Sequence, residues 1–434
     1  MMKPISIERL YDIFLSHPKI SKDSREIDEG CIYFALKGAN FNGNQYAGQA
    51  LEKGAAYAVV DEANQVKSER YLYVENALES LQLLARFHRS KLKIPIIGIT
   101  GSNGKTTTKE LVTTVLSKQH NCYATKGNYN NHIGVPLSLL EIGKDHEIAV
   151  IEMGANHQGE IAFLSAICDP DYGLITNVGK AHLEGFGGVE GVKKGKSELY
   201  QHLKAKEGKV FLNGDDKTLI ELAKSIPSLT YGTDSKQYCS GKILEEQPYL
   251  KGSWKCEKAN GQFEAGIYGT YNFYNIMAAV CIGHYFGVSS TKIDQAIGEY
   301  RSDNNRSQLI EKENYTVLLD AYNANPSSMQ VSIANFANRL GNKKIVILGD
   351  MFELGESSEK EHLQIAQLAL NQKFEKVILI GKHFSQLKVQ DPDLIDFETT
   401  EEAADWLSSY PKRNLEILIK GSRGMALEKI LDRL

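Results

Sequence analysis

The sequence predicts an α/β protein of three domains with mostly parallel sheets. Its 434 residues exceed the usual size of a single domain. Short apolar runs alternate with segments whose apolar residues recur at helical spacing. Strands that alternate with helices form parallel sheets covered on both faces, and such sheets bind ligands beyond the carboxyl ends of their strands.

The predicted strands lie in the middle and the C-terminal part of the chain. Each is a compact apolar run flanked by glycine or polar residues. They are 94–100, 148–154, 173–179, 209–216, 316–323, 344–351, 376–381 and 415–422. After the first of them, Leu111, Val112, Val115 and Leu116 recur at helical spacing, which predicts a strand followed directly by a helix.

Two polar stretches, 85–95 and 299–308, each precede a new series of strands. We therefore expect domains at 1–90, 91–309 and 310–434. Residues 230–270 are rich in glycine, tyrosine and turn-forming residues, which predicts irregular strands inserted in the central domain.

Composition argues against several classes of protein. The net charge of −4 does not favour binding to nucleic acid or to an anionic membrane. The N-terminus lacks the pattern of a signal peptide, and no apolar run is long enough to span a bilayer. The six cysteines form no CxxC pair, which favours reduced thiols in a cytoplasmic protein over a disulfide framework or a zinc site.

The stretch "GITGSNGKTTTKE" (98–110) predicts a nucleotide site. The usual phosphate loop reads Gly, four residues, Gly-Lys-Ser/Thr, but Ile99 occupies the position of the first glycine. Gly101, Ser102 and Gly104 still allow backbone N–H groups to approach an anion at a helix N-terminus. In this interpretation the Lys105 ammonium reaches the β- and γ-phosphates and the Thr106 hydroxyl binds Mg²⁺; the alternative is a plain strand-to-helix turn.

Three further side chains are candidates at the same sheet edge. Glu152 ends a predicted strand, where its carboxylate can bind Mg²⁺ or merely form a helix cap or an ion pair. His182 follows the next strand, where it is either a metal ligand or a hydrogen-bonding loop residue. Lys196 shares "GVKKGKSELY" with Lys193 and Lys194, and nothing in the residues selects it over those two or over a solvated helix face.

The segment "GSNGKT" from Gly101 resembles the phosphate loop of the Mur ligases, the ATP-dependent amino acid and peptide ligases of bacterial cell-wall synthesis. The resemblance covers essentially the whole chain. "GNYNNHIGVPLSLL" (127–140), "YNANP" (322–326) and "LGDMFELG" (348–355) resemble the member that adds D-alanyl-D-alanine. The Asp-Asn-Pro-Arg signature of the diaminopimelate-adding member is missing, and Asn42-Gly43-Asn44 stands where the family often has Asp-Gly-His.

The resemblance implies a small N-terminal α/β domain that binds the UDP-linked substrate, a central phosphate-loop domain with a mostly parallel sheet that binds ATP, and a C-terminal Rossmann-like ligase domain. It also assigns roles to residues. ATP is expected at Gly101, Ser102, Asn103, Gly104, Lys105, Thr106, Thr107, Asn272, Arg306 and Asp320. Peptide and uridine substrates are expected at Ser24, Arg25, Asn128, Asn131, Tyr322, Asn323 and Asn325. Mg²⁺ is expected at Thr106, Glu152, His182 and Lys196, with Lys196 carried as a carbamate (N6-carboxylysine).

The reaction implied is the joining of D-alanyl-D-alanine to UDP-N-acetylmuramoyl-tripeptide through an acyl phosphate. The acyl phosphate forms at the expense of ATP, and Lys105, Glu152, His182 and Lys196 are the expected catalytic residues. This is a step of peptidoglycan synthesis, and hence of cell-wall biogenesis, cell shape and division. We expect a cytoplasmic monomer that needs no nucleic acid and no membrane insertion.

Two alternatives stay open from the sequence. The chain could be a sibling amide ligase, of the Mur or the folylpolyglutamate type, with another acceptor. It could instead be a phosphate-loop NTPase that acts as a switch and hydrolyses ATP without any UDP-linked substrate.

Overall fold

The computed structural model describes residues 3–247, 249–341 and 343–434. It confirms the predicted α/β class, because mostly parallel strands alternate with helices in three separate main sheets. Each main sheet belongs to a different part of the chain, which confirms the three-domain organisation. No helix among the described residues is both long enough and apolar enough to cross a membrane.

The first sheet forms the N-terminal domain. Its elements are α1 (Ile7–Ser16), β1 (Ile20–Ser21), β2 (Ile32–Phe34), β3 (Lys37–Gly38), β4 (Phe41–Asn42), α2 (Ala47–Glu52), β5 (Tyr57–Val60), β6 (Tyr71–Tyr73) and α3 (Ala77–Lys91). The parallel order is β1–β2–β5–β6, and β3 and β4 form a separate hairpin. The long helix α3 begins where the Asn76 side chain accepts a hydrogen bond from the Glu79 amide at 3.0 Å.

The polar stretch 85–95 contains the last turns of α3, and two of its polar side chains are buried. His88 and Arg89 expose only 7% and 6% of their surface. The Arg89 guanidinium donates to the carbonyl oxygens of Cys168 at 3.0 Å and Asp169 at 2.9 Å. A basic side chain can lie in an interface when its buried donors meet acceptors, as those of Arg89 do. These contacts fasten the N-terminal domain to the central one.

The second sheet forms the central domain. Its strands are β7 (Ile96–Thr100), β8 (Cys122–Ala124), β9 (Ile148–Glu152), β10 (Tyr172–Ile175), β11 (Lys209–Asn213), β12 (Ser228–Gly232), β13 (Cys239–Glu245), β14 (Lys251–Cys256) and β15 (Ala259–Glu264). Its helices are α4 (Lys105–Leu116), α5 (Gly134–Leu140), α6 (Glu160–Cys168), α7 (Leu183–Phe186), α8 (Val189–Ala205), α9 (Lys217–Leu222), α10 (Phe273–Tyr285) and α11 (Ser290–Glu299). The strand order is β15–β14–β13–β12–β11–β10–β7–β9–β8.

The order of this sheet decides where the site lies. Strands β10, β7 and β9 are parallel neighbours, with Ile175 opposite Thr100 and Ile99 opposite Glu152. Their carboxyl ends therefore meet at one edge. The phosphate loop follows β7, Glu152 ends β9, and His182 lies in the loop after β10, as the sequence predicts.

The described residues of 230–270 form strands of the central domain, with one local irregularity. Strands β13, β14 and β15 pair antiparallel, with a register shift in β13 between Ile243 and Glu245, and they extend the edge of the central sheet. Their turn-rich sequence reflects the short connections between antiparallel strands.

The expectation that all cysteines are separate reduced thiols is wrong for one pair. Strands β13 and β14 place Cys239 directly opposite Cys256, with Cα atoms 4.2 Å apart and sulfur atoms at bonding distance. The two positions are 17 residues apart, so only the strand register brings them together. Cys31, Cys122, Cys168 and Cys281 are free.

The third sheet forms the C-terminal domain. Its elements are β16 (Gln308–Glu311), β17 (Tyr315–Asp320), α12 (Pro326–Ala337), β18 (Lys343–Gly349), α13 (Ser358–Leu370), β19 (Lys376–Ile380), α14 (Lys382–Ser385), β20 (Leu394–Phe397), α15 (Thr400–Ser409) and β21 (Leu415–Lys420). The order is β16–β17–β21–β18–β19–β20, parallel except for β16. Helix α12 begins with a capping box between Asn325 and Ser328 and with Pro326 in the first turn.

Candidate active site

A cavity of about 1030 Å³ lies between the central and C-terminal domains. It brings together most of the residues that the sequence nominates. Its walls include Ser102, Asn103, Gly104, Lys105, Thr106, Thr107, Asn128, Asn131, Glu152, His182, Asn272, Arg306, Asp320, Tyr322, Asn323 and Asn325. Gly101 and Lys196 lie just behind these walls, whereas Ser24 and Arg25 lie in the N-terminal domain.

The phosphate loop has a conformation that requires its glycines. Gly101 has φ +143° and Gly104 has φ +79°, values that favour residues without a Cβ atom. A Cβ on Gly101 would overlap the hydroxyl oxygen of Thr176 and lie 3.0 Å from the Thr176 nitrogen. Ser102 Oγ is fixed by the amide of Gly179 at 2.9 Å, so the loop after β10 supports the phosphate loop.

Lys105 starts α4 and folds back over the loop. Its ammonium donates to the carbonyl oxygens of Gly101 at 2.8 Å and Ser102 at 3.2 Å. Burial lowers the pKa of Lys105, the Glu152 carboxylate opposes this shift, and Arg306 adds to it. In the described part of the chain, the hydrogen bonds of this half-buried cation go to carbonyl oxygens, so it is well prepared for an anionic ligand such as a phosphate.

Glu152 carries an unsatisfied acceptor. The residue is 1% exposed, and its Oε1 accepts from Thr106 Oγ1 at 3.2 Å and from Asn130 Nδ2 at 2.8 Å. Its Oε2 is buried and has no hydrogen-bond partner in the described part of the chain. A buried carboxylate oxygen that accepts no hydrogen bond is energetically unfavourable. A cation bound beside the Thr106 hydroxyl would satisfy this atom.

His182 lies at the start of α7 in a left-handed conformation, with φ +51°. Its Nδ1 contacts the Glu353 carboxylate of the C-terminal domain, and the Glu184 amide donates to the Glu353 carbonyl oxygen at 3.3 Å. The loop after β18 thus meets the loop after β10 at the mouth of the cavity. The strained backbone and this contact together fix where the imidazole points.

Lys196 is not a solvated helix lysine. It is 1% exposed, whereas Lys194 is exposed and Lys193 pairs with Glu221 on the surface at 3.2 Å. Its Nζ donates to the Ala155 carbonyl oxygen at 3.1 Å and lies over the Phe186 ring. Burial, and next the nearby Lys105, hold the pKa of Lys196 well below its usual range, which favours the neutral amine.

The C-terminal domain supplies the opposite wall. The Arg306 guanidinium stacks on the Tyr322 ring, 3.4 Å from its centroid. The Asp320 carboxylate accepts from the buried Lys420 ammonium at 2.6 Å, and Lys420 also reaches the Asn323 carbonyl oxygen at 3.3 Å. These contacts order the ends of β17 and β21, from which this wall is built.

Several bonds join the two domains across the cavity. Asn325 caps α12 with its side-chain oxygen and donates through Nδ2 to the Asn103 side chain at 2.7 Å. The Lys180 amide donates to Ser327 Oγ at 2.8 Å, and the Lys180 ammonium pairs with the buried Glu361 at 2.6 Å. The C-terminal domain is therefore closed onto the phosphate loop.

Asn272 lines the cavity but already has partners. Its Nδ2 donates to the Tyr268 carbonyl oxygen at 2.7 Å and its Oδ1 accepts from Asn275 at 2.9 Å. Asn275 in turn accepts from Thr108 on α4 at 3.1 Å. The chain from Asn272 to Thr108 fixes α10 against the helix that follows the phosphate loop.

In the N-terminal domain, the nominated Arg25 is exposed and the nominated Ser24 is half-buried. Ser24 offers its carbonyl oxygen to Lys53 at 2.9 Å, and the Arg25 guanidinium pairs with Asp23 at 2.6 Å. Asn44 stands where the family often has histidine. Its buried side chain exchanges hydrogen bonds with Asp61 at 2.8 and 3.0 Å. Asn44 therefore organises the domain core and presents nothing to a ligand.

The side chains at the cavity that sequence reasoning missed include Asn130 and Lys420, which contact nominated residues. Asn130 lies between the nominated Asn128 and Asn131, and its contact with Glu152 could not be told from the spacing. Lys420 belongs to "KGSRG" at the end of a predicted strand, the same position at a sheet edge that selected Glu152. That edge position was the one signal that could have found it.

Comparisons with known proteins place the whole chain in one family. Family models described as "Mur ligase family, catalytic domain", "Mur ligase middle domain" and "Mur ligase, glutamate ligase domain" match residues 19–95, 99–283 and 305–423. The UDP-N-acetylmuramoyl-tripeptide--D-alanyl-D-alanine ligase of Bacillus subtilis is 33% identical over 428 residues, which cover 96% of this chain and 92% of that protein.

Solved structures give the same result. MurF from Acinetobacter baumannii has a TM-score of 0.87 at 29% identity and covers 99% of this chain and 98% of its own. MurF ligase from Thermotoga maritima, solved in complex with ADP, has a TM-score of 0.85 at 28% identity and covers 96% of both chains.

We predict that Gly101→Ala destabilises the protein and abolishes nucleotide binding. Steric overlap with Thr176 and the unfavourable φ together should lower the free energy of unfolding by about 2–4 kcal/mol. Gly30→Ala is the matched control, because Gly30 has φ +75° but open space around it. It should lower the free energy of unfolding by only about 1 kcal/mol and leave nucleotide binding intact. Denaturant unfolding and calorimetry with ADP measure both effects; equal losses in the two variants would rule out the clash.

Proposed function

The chain belongs to the Mur ligase family, and we propose that it joins D-alanyl-D-alanine to UDP-N-acetylmuramoyl-tripeptide with ATP. The products are UDP-N-acetylmuramoyl-pentapeptide, ADP and phosphate, and the pentapeptide is a precursor of peptidoglycan. One observation carries the proposal for this chain. The phosphate loop and Glu152 share a single cavity with Asn323 and Asn325 of "YNANP", so ATP and an acceptor can meet there.

The chemistry proceeds in two steps. An oxygen of the tripeptide carboxylate attacks the γ-phosphorus of ATP, the bond from that phosphorus to the bridging oxygen breaks, and ADP leaves. The D-alanyl-D-alanine nitrogen then attacks the acyl carbon of the acyl phosphate, a proton is lost, and the tetrahedral intermediate expels phosphate. The first step makes a leaving group of an oxygen that would otherwise have to leave as oxide.

Lys105 and Arg306 are the cations that act on the transferring phosphoryl group. Lys105 starts the helix whose N-terminus faces the loop, and Arg306 is close enough to lower its pKa. Both are positioned before ATP arrives, Lys105 by loop carbonyl oxygens and Arg306 by Tyr322. Preorganised positive charge stabilises the developing charge without the cost of reorienting water.

The remaining nucleotide contacts follow from the same walls. We assign the phosphates to Gly101, Ser102, Asn103, Gly104, Thr106 and Thr107, the adenine side to Asn272 and the ribose side to Asp320. The peptide lies along Asn128 and Asn131, and the uridine end reaches Ser24 and Arg25. Tyr322, Asn323 and Asn325 cover ATP and the incoming dipeptide.

Mg²⁺ fits the residues at the sheet edge. Among the described residues, no three His, Cys, Asp or Glu side chains cluster as a metal site. Glu152 nevertheless has a buried carboxylate oxygen that accepts no hydrogen bond, next to Thr106, and a cation bound there would satisfy it. We propose Thr106, Glu152, His182 and a modified Lys196 as ligands. When bound, the metal would neutralise phosphate oxygens during transfer.

Lys196 is suited to carry the modification. A carbamate forms when a neutral amine nitrogen adds to the carbon of CO₂ and releases one proton to solvent. The lowered pKa of Lys196 supplies the neutral amine that this reaction needs. The modification would replace a neutral amine beside Lys105 with an anion, which adds a favourable interaction with that cation and provides oxygen ligands.

The closed domains serve the chemistry by excluding water. An acyl phosphate hydrolyses in open solvent, and the bonds from Asn325 to Asn103 and from Lys180 to Glu361 hold the two walls together. We propose domain limits of 1–90, 91–309 and 310–434, and a cytoplasmic location where ATP is available.

The proposal is tested by mass spectrometry of the product from UDP-N-acetylmuramoyl-tripeptide, ATP and D-alanyl-D-alanine. We expect a mass that corresponds to the pentapeptide, and ADP release that requires both other substrates. ADP release without the UDP-linked substrate, and no pentapeptide, would instead support an NTPase.

We predict that Lys105→Ala leaves the fold intact and lowers kcat by at least about 100-fold, because the lost cation acts on the transferring phosphate. Thermal unfolding should show a folded protein, and the ADP-release assay measures the rate. Lys194→Ala is the control and should keep normal turnover, because Lys194 is an exposed lysine. Near-normal turnover of folded Lys105→Ala would remove this side chain from the mechanism.

We predict that Lys196→Ala is folded but nearly inactive, and that acetate partly restores its rate. Acetate can fill the space of the carbamate and supply a carboxylate oxygen. A direct readout uses ¹³C-bicarbonate, which should give a carbamate carbon signal by NMR in the wild-type protein.

The controls for this prediction are Lys193→Ala and Lys194→Ala. Both should retain activity, retain the carbamate signal and gain nothing from acetate, because both side chains lie on the outer face of α8. A wild-type rate for Lys196→Ala in bicarbonate-depleted buffer would show that the carbamate assignment is wrong.

A further inference from the structure

The segment that joins the central and C-terminal domains is held in place at both ends. We call residues 300–307, between α11 and β16, the linker arm. It starts at Tyr300, which is 8% exposed, and it carries Arg306 into the cavity. Its conformation therefore decides where that guanidinium lies.

The first anchor is the Glu110 carboxylate on α4. It accepts from the Tyr300 hydroxyl at 2.7 Å and from the Asn304 side-chain amide at 2.8 and 2.9 Å. The three hydrogen bonds join positions that are 190 and 194 residues apart in sequence. Each is charge-assisted, since a carboxylate is the acceptor.

The second anchor lies at the cavity side of the arm. Asn305 and Ser307 have φ +58° and +49°, so two left-handed residues flank Arg306. The Asn305 carbonyl oxygen accepts from the Tyr322 amide at 3.2 Å, and Ser307 Oγ bonds the Tyr271 hydroxyl at 2.7 Å. A non-glycine pair in this region persists only where neighbouring contacts hold it.

Glu110 and Lys105 lie on the same helix. α4 begins at Lys105, so the residue that anchors the arm is rigidly connected to the residue that starts the phosphate site. The arm up to Asn304 is thereby part of the central domain. The first strand of the C-terminal sheet, β16, begins just beyond the left-handed pair, at Gln308.

We propose that Glu110 is a positioning residue, which fastens the linker arm to the phosphate-loop helix and so places Arg306 at the γ-phosphate. The proposal rests on the proposed function, because it takes the Arg306 role from there. Arg306 is then tethered to the central domain through the arm, while its guanidinium stacks on Tyr322 of the C-terminal domain. A freely moving linker would have to lose its conformational freedom each time ATP bound.

A purely stabilising role for Glu110 fits the contacts less well. Its side chain is 28% exposed, and partly exposed ion pairs and hydrogen bonds contribute little to the free energy of folding. All three of its short bonds nevertheless go to the arm. The neighbouring Glu299 on α11 pairs with Lys118, two residues beyond the end of α4, and accepts from Gln295. In the described part of the chain, no hydrogen bond or ion pair joins its side chain to the linker arm.

The test compares the affinities of a non-hydrolysable ATP analogue and of ADP by calorimetry. Glu110→Ala should lower the affinity for the analogue by about tenfold, because one charge-assisted hydrogen bond to the γ-phosphate is lost. The affinity for ADP should stay unchanged. Glu110→Gln should recover part of the loss, because its amide oxygen can still accept from Tyr300 or Asn304. Glu299→Ala removes the same charge from the same contact region and should bind both nucleotides as the wild type does.

A double-mutant cycle shows whether Glu110 acts through Arg306. In an Arg306→Ala background, Glu110→Ala should cause no further loss of analogue affinity. Wild-type analogue affinity in Glu110→Ala, or a full additional loss in the Arg306→Ala background, overturns the proposal while leaving the ligase function in place. If Arg306→Ala alone binds the analogue with wild-type affinity, the proposal is also overturned, because Arg306 then does not contact the γ-phosphate.

A second measurement does not depend on nucleotide binding. Trypsin cuts after arginine, and the arm contains Arg301 and Arg306. Glu110→Ala should be cut in the arm several-fold faster than the wild type, since a released arm samples extended conformations. Glu299→Ala should be cut at the wild-type rate. Equal cutting of Glu110→Ala and wild type, mapped by mass spectrometry of the fragments, would show that Glu110 does not hold the arm.

Discussion

The structure depends on buried charge gathered where β10, β7 and β9 end. Lys105 and Lys196 have depressed pKa values, each partly because of another cation, and the Glu152 carboxylate has one oxygen without a donor. Neither feature stabilises an empty protein, because burial penalises charge that lacks partners. Phosphates, a divalent cation and a carbamate would each satisfy one of these groups. These groups are therefore positioned in advance of the ligands that would satisfy them.

This constraint explains why the C-terminal domain is needed at all. The central sheet alone leaves the phosphate loop open to water, which weakens every charge interaction and exposes an acyl phosphate to hydrolysis. Closing the cavity requires polar contacts that can form and break, and those seen are of this kind: Asn325 with Asn103, Lys180 with Glu361 and Glu353 with His182. An apolar interface of the same extent would hold the domains together but would not release product.

Much of this arrangement could be predicted from the sequence, and the failures have physical causes. Strand periodicity located the carboxyl ends of β7, β9 and β10, and with them Lys105, Glu152 and His182. Charge patterns were less informative, since burial depends on partners distant in sequence. They could not separate Lys196 from Lys193, and they gave no sign that Arg89 meets backbone carbonyl oxygens in an interface. The pairing of Cys239 with Cys256 depends on register, which a spacing of 17 residues does not reveal.

The linker arm shows how one helix can serve two domains. Helix α4 presents its N-terminus to the phosphate site and, through Glu110, holds the arm that leads to the C-terminal sheet. A domain that rotated about a free linker would carry Arg306 with it and lose the arginine from the γ-phosphate whenever the cavity opened. If the arm is anchored, rotation is confined to the left-handed pair at Asn305 and Ser307. Arg306 lies between these two residues, so an anchored arm would limit how far the arginine can move from the phosphate loop when the cleft opens for the dipeptide.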